Sequence, residues 1–222
     1  MTGPSAHGDK AAPYDRFLAG LGRKASAAEC EQWARDHDGD PDVSRALIDA
    51  GWQRSRAGDH AQALMLFRRA LECGGEQSRY ARVGIIEQLY ALGRTDEGHT
   101  ARDALRAELD ATAPPDLWIY HQVAELLSEA AAAQPQAALE WCEAALARAG
   151  AEDGGEDAAF HRQCLLGTRR VVREQLGLGP DELDQATEAE VDRDVAEAAR
   201  LLGQMLTNAP LTVGPLAEDG PG

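Results

Sequence analysis

The chain has 222 residues, of which 44% are hydrophobic and only 5% aromatic, and its formal net charge is −16. This hydrophobic content is enough for a packed core and excludes wholesale disorder, while the acidic balance opposes nonspecific binding to nucleic acid or to an anionic membrane. Abundant Ala with few aromatic residues favours close helix–helix packing over a β-sandwich.

The N-terminal residues 1–12 are rich in Gly, Pro, Ser and Ala and predict a disordered tail. They contain no apolar run typical of a signal peptide, and no stretch approaches the roughly 20 apolar residues of a membrane span. We therefore expect a cytoplasmic protein with reduced thiols at its four scattered cysteines, Cys30, Cys73, Cys142 and Cys164.

Helical signals follow this tail and continue almost to residue 205. Ser26 with Glu29 has the spacing of a capping box, and Gly39 and Pro41 predict the end of the helix that begins there. No useful length of sequence alternates with period two, which predicts an all-α protein.

From residue 43 the predicted helices come in pairs. In the first pair, Gly51 lies in the first helix and Gly58 in the turn, and the second helix carries Ala63, Phe67 and Ala70 on one face. Two helices that cross closely need small residues where their backbones approach and a bulky residue to fill the gap beside them. This pattern predicts a tightly packed helical hairpin.

Two further pairs repeat the pattern less regularly. The second has an apolar helix, a turn at Gly93 and a small residue at Gly98, and Gly58 and Gly93 are separated by close to the period of about 34 residues known for helical repeats. The third follows the helix-breaking Pro114 and Pro115. Its predicted core residues are Tyr120, Val123, Ala124, Leu127, Ala137, Trp141 and Ala144.

Residues 43–149 resemble tetratricopeptide repeats through these Gly and Ala–bulky–Ala positions. The resemblance implies a right-handed α-solenoid of antiparallel helix pairs over residues 13–206, with helical caps at both ends. Residues 178–206 are the expected acidic C-terminal cap, and 207–222 a second disordered tail. Leu166–Gly167 is a candidate small-residue site in the first helix of a fourth pair. The scarcity of Lys beside abundant Arg resembles the composition of actinobacterial proteins. Residues 138–184 are loosely similar to repeat proteins that carry a SEC-C zinc motif, and this chain lacks the cysteine cluster of that motif.

In tetratricopeptide arrays the first helix of each pair lines a concave groove, where partner peptides commonly bind. Transfer of these positions, with the neighbouring Arg56, predicts a partner-binding face made of Arg45, Trp52, Arg56, Tyr80, Glu87, Tyr90, Trp118 and His121. Ile48 and Trp52 stand where some family members hold a chaperone's acidic tail with Lys and Asn, so that ligand is not implied. The alternative is that the aromatic rings fill gaps between helices.

Charge is unevenly distributed along the chain. A basic zone comprises Arg45, Arg54, Arg56, Arg68, Arg69, Arg79 and Arg82, and an acidic segment runs from Asp181 to Glu197. One interpretation is a solvated surface. The other is a basic groove for an acidic peptide, covered by the chain's own acidic end.

Residues suited to catalysis or metal binding are sparse. Asp36, Asp38 and Asp40 alternate but lack the Gly and Glu of an EF-hand loop. His161 and Cys164 share a helix face, yet no CxxC accompanies them, and buried thiols explain them better. We expect no metal and no cofactor.

The sequence therefore predicts a non-enzymatic protein- or peptide-binding scaffold whose partner is unidentified. Two alternatives stay open: a regulatory homo-oligomer whose acidic segment occupies the groove, and a small metal-dependent enzyme that uses Cys and His residues.

Overall fold

The computed structural model describes residues 12–75, 77–129, 132–149 and 155–187, together with 189, 193 and 200. Within these residues the chain is helical and contains no β-strand. The helices are α1 (Pro13–Leu21), α2 (Ala27–Asp36), α3 (Val43–Arg56), α4 (His60–Cys73), α5 (Ser78–Ala91), α6 (Thr95–Asp110), α7 (Leu117–Ser128), α8 (Pro135–Arg148) and α9 (Gly155–Gln175). The all-α prediction is confirmed for this part of the chain.

Most of these helices pack against their neighbours in sequence. Helix α2 contacts α3, α3 contacts α4, α4 contacts α5 and α5 contacts α6, while α7, α8 and α9 contact one another. A second set of contacts joins alternate helices, because α5 touches both α3 and α7. Helices α3, α5 and α7 therefore lie side by side.

Local sequence signals explain where the helices begin and end. Ser26 and Glu29 form the predicted capping box, in which the Ser26 hydroxyl accepts from the Glu29 N–H and the Glu29 carboxylate accepts from the Ser26 N–H. Gly58 and Gly93 adopt positive φ angles of 79° and 71° in the turns before α4 and α6. Such backbone favours glycine, which is why the turns predicted at these two residues form here.

The first helix pair is held by the ring of Phe67. Ala63, Phe67 and Ala70 are 0% exposed, as their spacing predicts. A Cβ atom added to Gly51 on α3 would lie 2.8 Å from this ring, and one added to Gly84 on α5 would lie 2.6 Å from it. The ring of an α4 residue thus fills space left by two glycines on two other helices.

The second and third helix pairs also place small residues against bulky ones, but in the third pair the buried alanines are shifted by one residue. A Cβ atom at Gly98 would lie 2.8 Å from the ring of Tyr90, which confirms Gly98 as a small contact residue. In α8, Trp141 is buried as predicted, but the fully buried alanines are Ala138 and Ala145. The predicted Ala137 and Ala144 are only partly buried, because α8 turns each neighbouring alanine toward the core instead.

The N-terminal helix is attached to the first pair through a buried tyrosine. Tyr14 is 0% exposed, and its hydroxyl donates to Asp49 Oδ2 at 2.9 Å and lies 3.2 Å from Cys30 Sγ. Arg45 pairs with Asp15 at 2.7 Å beside it. Helix α1 is thereby fixed against α2 and α3.

The chain divides into two compact units, residues 1–178 and 179–222. In the second unit residues 182–187 are helical, and Asp181 Oδ1 accepts from the N–H groups of Leu183 and Asp184 at 3.1 Å. In the first unit Gly167 is exposed, and a Cβ atom there would meet nothing within 4 Å, so it is not the close-contact residue we expected. The disordered tails predicted at 1–12 and 207–222 lie outside the described residues, apart from Ala12.

Among the helices that the structure describes, none has the length and apolar character needed to cross a membrane.

The contact between Phe67 and Gly84 generates the first prediction. Gly84→Ala should lower the free energy of unfolding by about 1–3 kcal/mol, because the ring cannot retreat from the new methyl group without approaching Gly51. Gly167→Ala is the matched control, and we expect it to raise stability by about 0.5–1 kcal/mol through helix propensity alone. Thermal unfolding of both variants measures the difference. Equal melting temperatures for Gly84→Ala and the parent would show that this contact is loose.

Candidate functional site

Two pockets lie along helices α5 and α7. The larger, about 560 Å³, is called the aromatic pocket here, and its lining includes three aromatic residues and a histidine. Its lining residues are Tyr80, Pro115, Asp116, Leu117, Trp118, Asp157, Ala158, Phe160 and His161. It is therefore built from α5, α7 and the first turns of α9.

The smaller pocket, about 270 Å³, is called the acidic pocket because three carboxylates line it. Its lining residues are Trp52, Arg56, Val83, Glu87, Gln122, Glu125, Leu126 and Glu129. It is lined by residues of α3, α5 and α7 and by Glu129, which directly follows α7.

Both pockets occupy one face of α5 and of α7. On α5, Tyr80 lines the aromatic pocket, and Val83 and Glu87 line the acidic one at helical spacings of three and four residues. On α7, Trp118 lines the aromatic pocket and Gln122 begins the acidic one, four residues further along. The N-terminal ends of the two helices thus meet at one pocket and their C-terminal ends at the other.

The aromatic pocket contains a large exposed ring. Phe160 is 61% exposed, although it belongs to a well-formed helix. The Trp118 ring lies with its centroid 5.0 Å from that of His161, and the Phe160 and His161 rings are 5.4 Å apart. Partial burial, with the nearby charge of Asp116, raises the pKa of Tyr80. Exposed aromatic surface in a concave site is typical of places where apolar ligands bind.

The carboxylates of the acidic pocket are held close together. Glu87 accepts a hydrogen bond from the Ser55 hydroxyl at 3.0 Å, and the buried Gln88 side chain donates to the same hydroxyl at 3.0 Å. The pKa of Glu129 is raised, first by partial burial and then by the charges of Glu87 and Glu125. The pocket therefore concentrates negative charge that its single lining cation, Arg56, does not balance.

Five of the eight residues predicted for the partner-binding face line these pockets. Tyr80 and Trp118 line the aromatic pocket, and Trp52, Arg56 and Glu87 line the acidic one. Trp52 also packs edge-on against the Phe67 ring, with centroids 4.8 Å apart, so this ring contacts both the core and the pocket.

The other three predicted residues lie elsewhere. Arg45 pairs with Asp15 and lies over the Tyr14 ring, with its guanidinium carbon 5.5 Å from the ring centroid. Tyr90 is 5% exposed and packs on Gly98. His121 is 9% exposed beside Trp118, and burial lowers its pKa. Of these three, Tyr90 packs between helices, which is the alternative that the sequence left open for the aromatic rings.

Sequence reasoning missed Phe160, Leu126 and Glu129. Phe160 belongs to α9, outside the repeats at residues 43–149, and no sequence pattern predicted that it would lie beside α5 and α7. Leu126 and Glu129 continue the stripe from Trp118 at the helical period of 3.6 residues, so a search along α7 for amphipathic periodicity, rather than transferred family positions, could have found them.

The basic zone is largely neutralised by neighbouring acids. Arg54 pairs with Glu31 at 2.8 Å and Arg82 with Glu108 at 3.3 Å. The remaining ion pairs of this zone are Arg45–Asp15, Arg68–Glu97, Arg79–Glu108 and Arg79–Asp116. The face that carries the two pockets is consequently acidic, opposite in sign to the basic groove that we considered. Residues 188, 190–192 and 194–197 of the acidic segment 181–197 lie outside the described residues.

The cysteines and histidines are not gathered into a metal centre in the part of the chain that the structure describes, where no group of three or more His, Cys, Asp or Glu side chains could hold an ion. Cys142 is 0% exposed, and burial raises its pKa to about 12, which disfavours the thiolate that binds metals.

Comparisons of this chain with protein-family models, with curated proteins and with solved structures find no match.

The raised pKa of Glu129 gives a pH-dependent prediction. Since its carboxyl group binds a proton more tightly in the folded chain than in the unfolded one, its charge costs stability above the folded pKa and has no effect below the unfolded pKa, near 4.3. Glu129→Gln should therefore stabilise the protein at pH 7, by less than about 1 kcal/mol because solvent screens an exposed group.

Thermal unfolding at pH 7 and at pH 3.5, in low salt, measures this effect. The difference between variant and parent should disappear at the lower pH. Glu140→Gln, an exposed carboxylate on α8, is the control and should change stability little at either pH. If Glu129→Gln instead lowered the stability at pH 7, repulsion between Glu129 and the neighbouring carboxylates would be contradicted.

Proposed function

We propose that this chain is a non-enzymatic scaffold that binds a peptide segment of a partner protein along α3, α5 and α7. The observation that carries the proposal is the position of the aromatic and acidic pockets, one after the other, on one face of α5 and α7. A face with aromatic, apolar and charged side chains in a row suits an elongated ligand better than a compact one.

We further propose that the helices form a tetratricopeptide-like, right-handed solenoid of antiparallel pairs. Three features support it: α3, α5 and α7 contact in series, α4 packs against both α3 and α5, and a bulky residue on α4 meets small residues on the flanking helices. In such a stack, alternate helices run in the same direction. This agrees with the meeting of like ends of α5 and α7 at each pocket.

The side chains in the two pockets favour binding over chemistry. The charged groups that line the acidic pocket are carboxylates and a guanidinium, and the Ser55 hydroxyl that donates to Glu87 also accepts from the Gln88 side chain, so it belongs to a hydrogen-bond network between helices. The proposed activity is therefore recognition of another chain.

Two exposed apolar residues allow a matched test of this proposal. Phe160 lines the aromatic pocket, Met65 lies on α4 outside both pockets, and each is 61% exposed. Peptides selected from a random display library on the immobilised full chain serve as probes. Phe160→Ser should weaken their binding at least about fivefold, as loss of an aromatic anchor does, whereas Met65→Ser should leave the Kd unchanged.

Fluorescence titration of the synthetic peptides gives the Kd values and also reports the site. Trp52 and Trp118 line the two pockets, while Trp33 and Trp141 are 5% and 3% exposed. We expect the binding signal to fall in Trp118→Phe and in Trp52→Phe, and to disappear when both residues are replaced. A library that yields no binder, or binders affected equally by Phe160→Ser and Met65→Ser, would disprove this function for the α5–α7 face.

A further inference from the structure

The two pockets differ in the side chains that they would accept. The aromatic pocket has Tyr80, Trp118 and Phe160 among its walls and apolar contacts from Leu117 and Ala158. Of the two carboxylates that also line it, Asp116 pairs with Arg79 at 3.5 Å. It is suited to a large apolar side chain, which would cover exposed aromatic surface such as the ring of Phe160.

The acidic pocket combines apolar walls with an excess of carboxylates. Trp52, Val83 and Leu126 form walls along which an aliphatic stem could lie, and Glu125 and Glu129 are exposed beside them. A Lys or Arg side chain has this combination of an apolar stem and a charged head. A carboxylate ligand would meet like charges at close range, which is unfavourable in a partly desolvated site.

Building on the proposed function, we infer that the partner segment carries a large apolar residue for the aromatic pocket and a Lys or Arg residue for the acidic pocket. Charge complementarity selects this occupant, and the position of both pockets on one face of α5 and α7 lets a single segment reach them. The raised pKa of Glu129 agrees, because a cation brought among Glu87, Glu125 and Glu129 relieves their mutual repulsion.

The distance between the pockets sets the spacing of the two residues. At roughly 1.5 Å per helical residue, Tyr80 and Glu87 lie about 10 Å apart along α5, and Trp118 and Glu129 about 16 Å apart along α7. An extended peptide advances about 3.3 Å per residue. The basic and apolar residues should therefore be separated by about three to five positions in an extended ligand.

Selection of random peptides on the full chain and on a charge variant tests the inference. The variant is Glu125→Gln with Glu129→Gln, and the matched control is Glu72→Gln with Glu140→Gln, exposed on α4 and α8. Glu87 is retained because it takes part in the Ser55–Gln88 network. We expect parent and control to enrich Lys or Arg about three to five positions from an aromatic or large aliphatic residue, and the charge variant to enrich the apolar residue alone.

Affinities of the selected peptides give an independent measure. Replacement of the basic residue by Glu should weaken binding to the parent at least about tenfold, and to the charge variant much less, since the two changes act on one interaction. Raising the salt concentration should weaken binding to the parent more than to the charge variant.

The outcomes separate the two proposals. Peptides that need Phe160 but show no preference for Lys or Arg, or that prefer Asp or Glu, would overturn the cationic motif and leave the binding face intact. Peptides indifferent to both Phe160→Ser and the charge variant would overturn the proposed function itself. A third outcome is that the chain self-associates, that Phe160→Ser abolishes this association, and that no selected peptide competes with it. That result would identify a second copy of the chain as the occupant and overturn the inference.

Discussion

The ring of Phe67 determines how the central helices are placed. It belongs to α4, yet it lies where side chains of Gly51 on α3 and Gly84 on α5 would otherwise be. Both glycines are buried, so the ring has backbone on two sides and little freedom to move. The side-by-side arrangement of α3 and α5, and through it the face shared with α7, depends on this contact.

Packing of the core also decides which side chains of α5 remain available to a ligand. Ile86 and Leu89 are in the interior, and the residues left on the opposite stripe, Tyr80 and Glu87, line the pockets. Trp52 belongs to both environments, since it packs on Phe67 and lines the acidic pocket. A change in the core at Phe67 is therefore transmitted directly to the wall of the candidate site.

The charge of the face that carries the two pockets depends on which arginines form ion pairs, and not on how many arginines the sequence contains. Several arginines of the basic zone are used between helices, as Arg54 is with Glu31 and Arg82 with Glu108. Exposed pairs of this kind add little stability, but they remove positive charge from the surface that a partner would meet. The carboxylates of Glu125 and Glu129 stay exposed in the groove, which makes the face acidic.

The sequence by itself determined the local and repeated features of this protein. Helix starts such as Ser26–Glu29, turns such as Gly58, and the buried Ala63–Phe67–Ala70 face follow from short-range backbone and packing rules, so they could be read from one chain segment at a time. Tertiary structure decided the rest. Whether an aromatic ring is buried, as Tyr90 is, or exposed, as Phe160 is, depends on which helix lies opposite. The sign of the charge on the candidate face depends on which arginines form ion pairs with residues of other helices. Both are properties of long-range contacts, which no local pattern encodes.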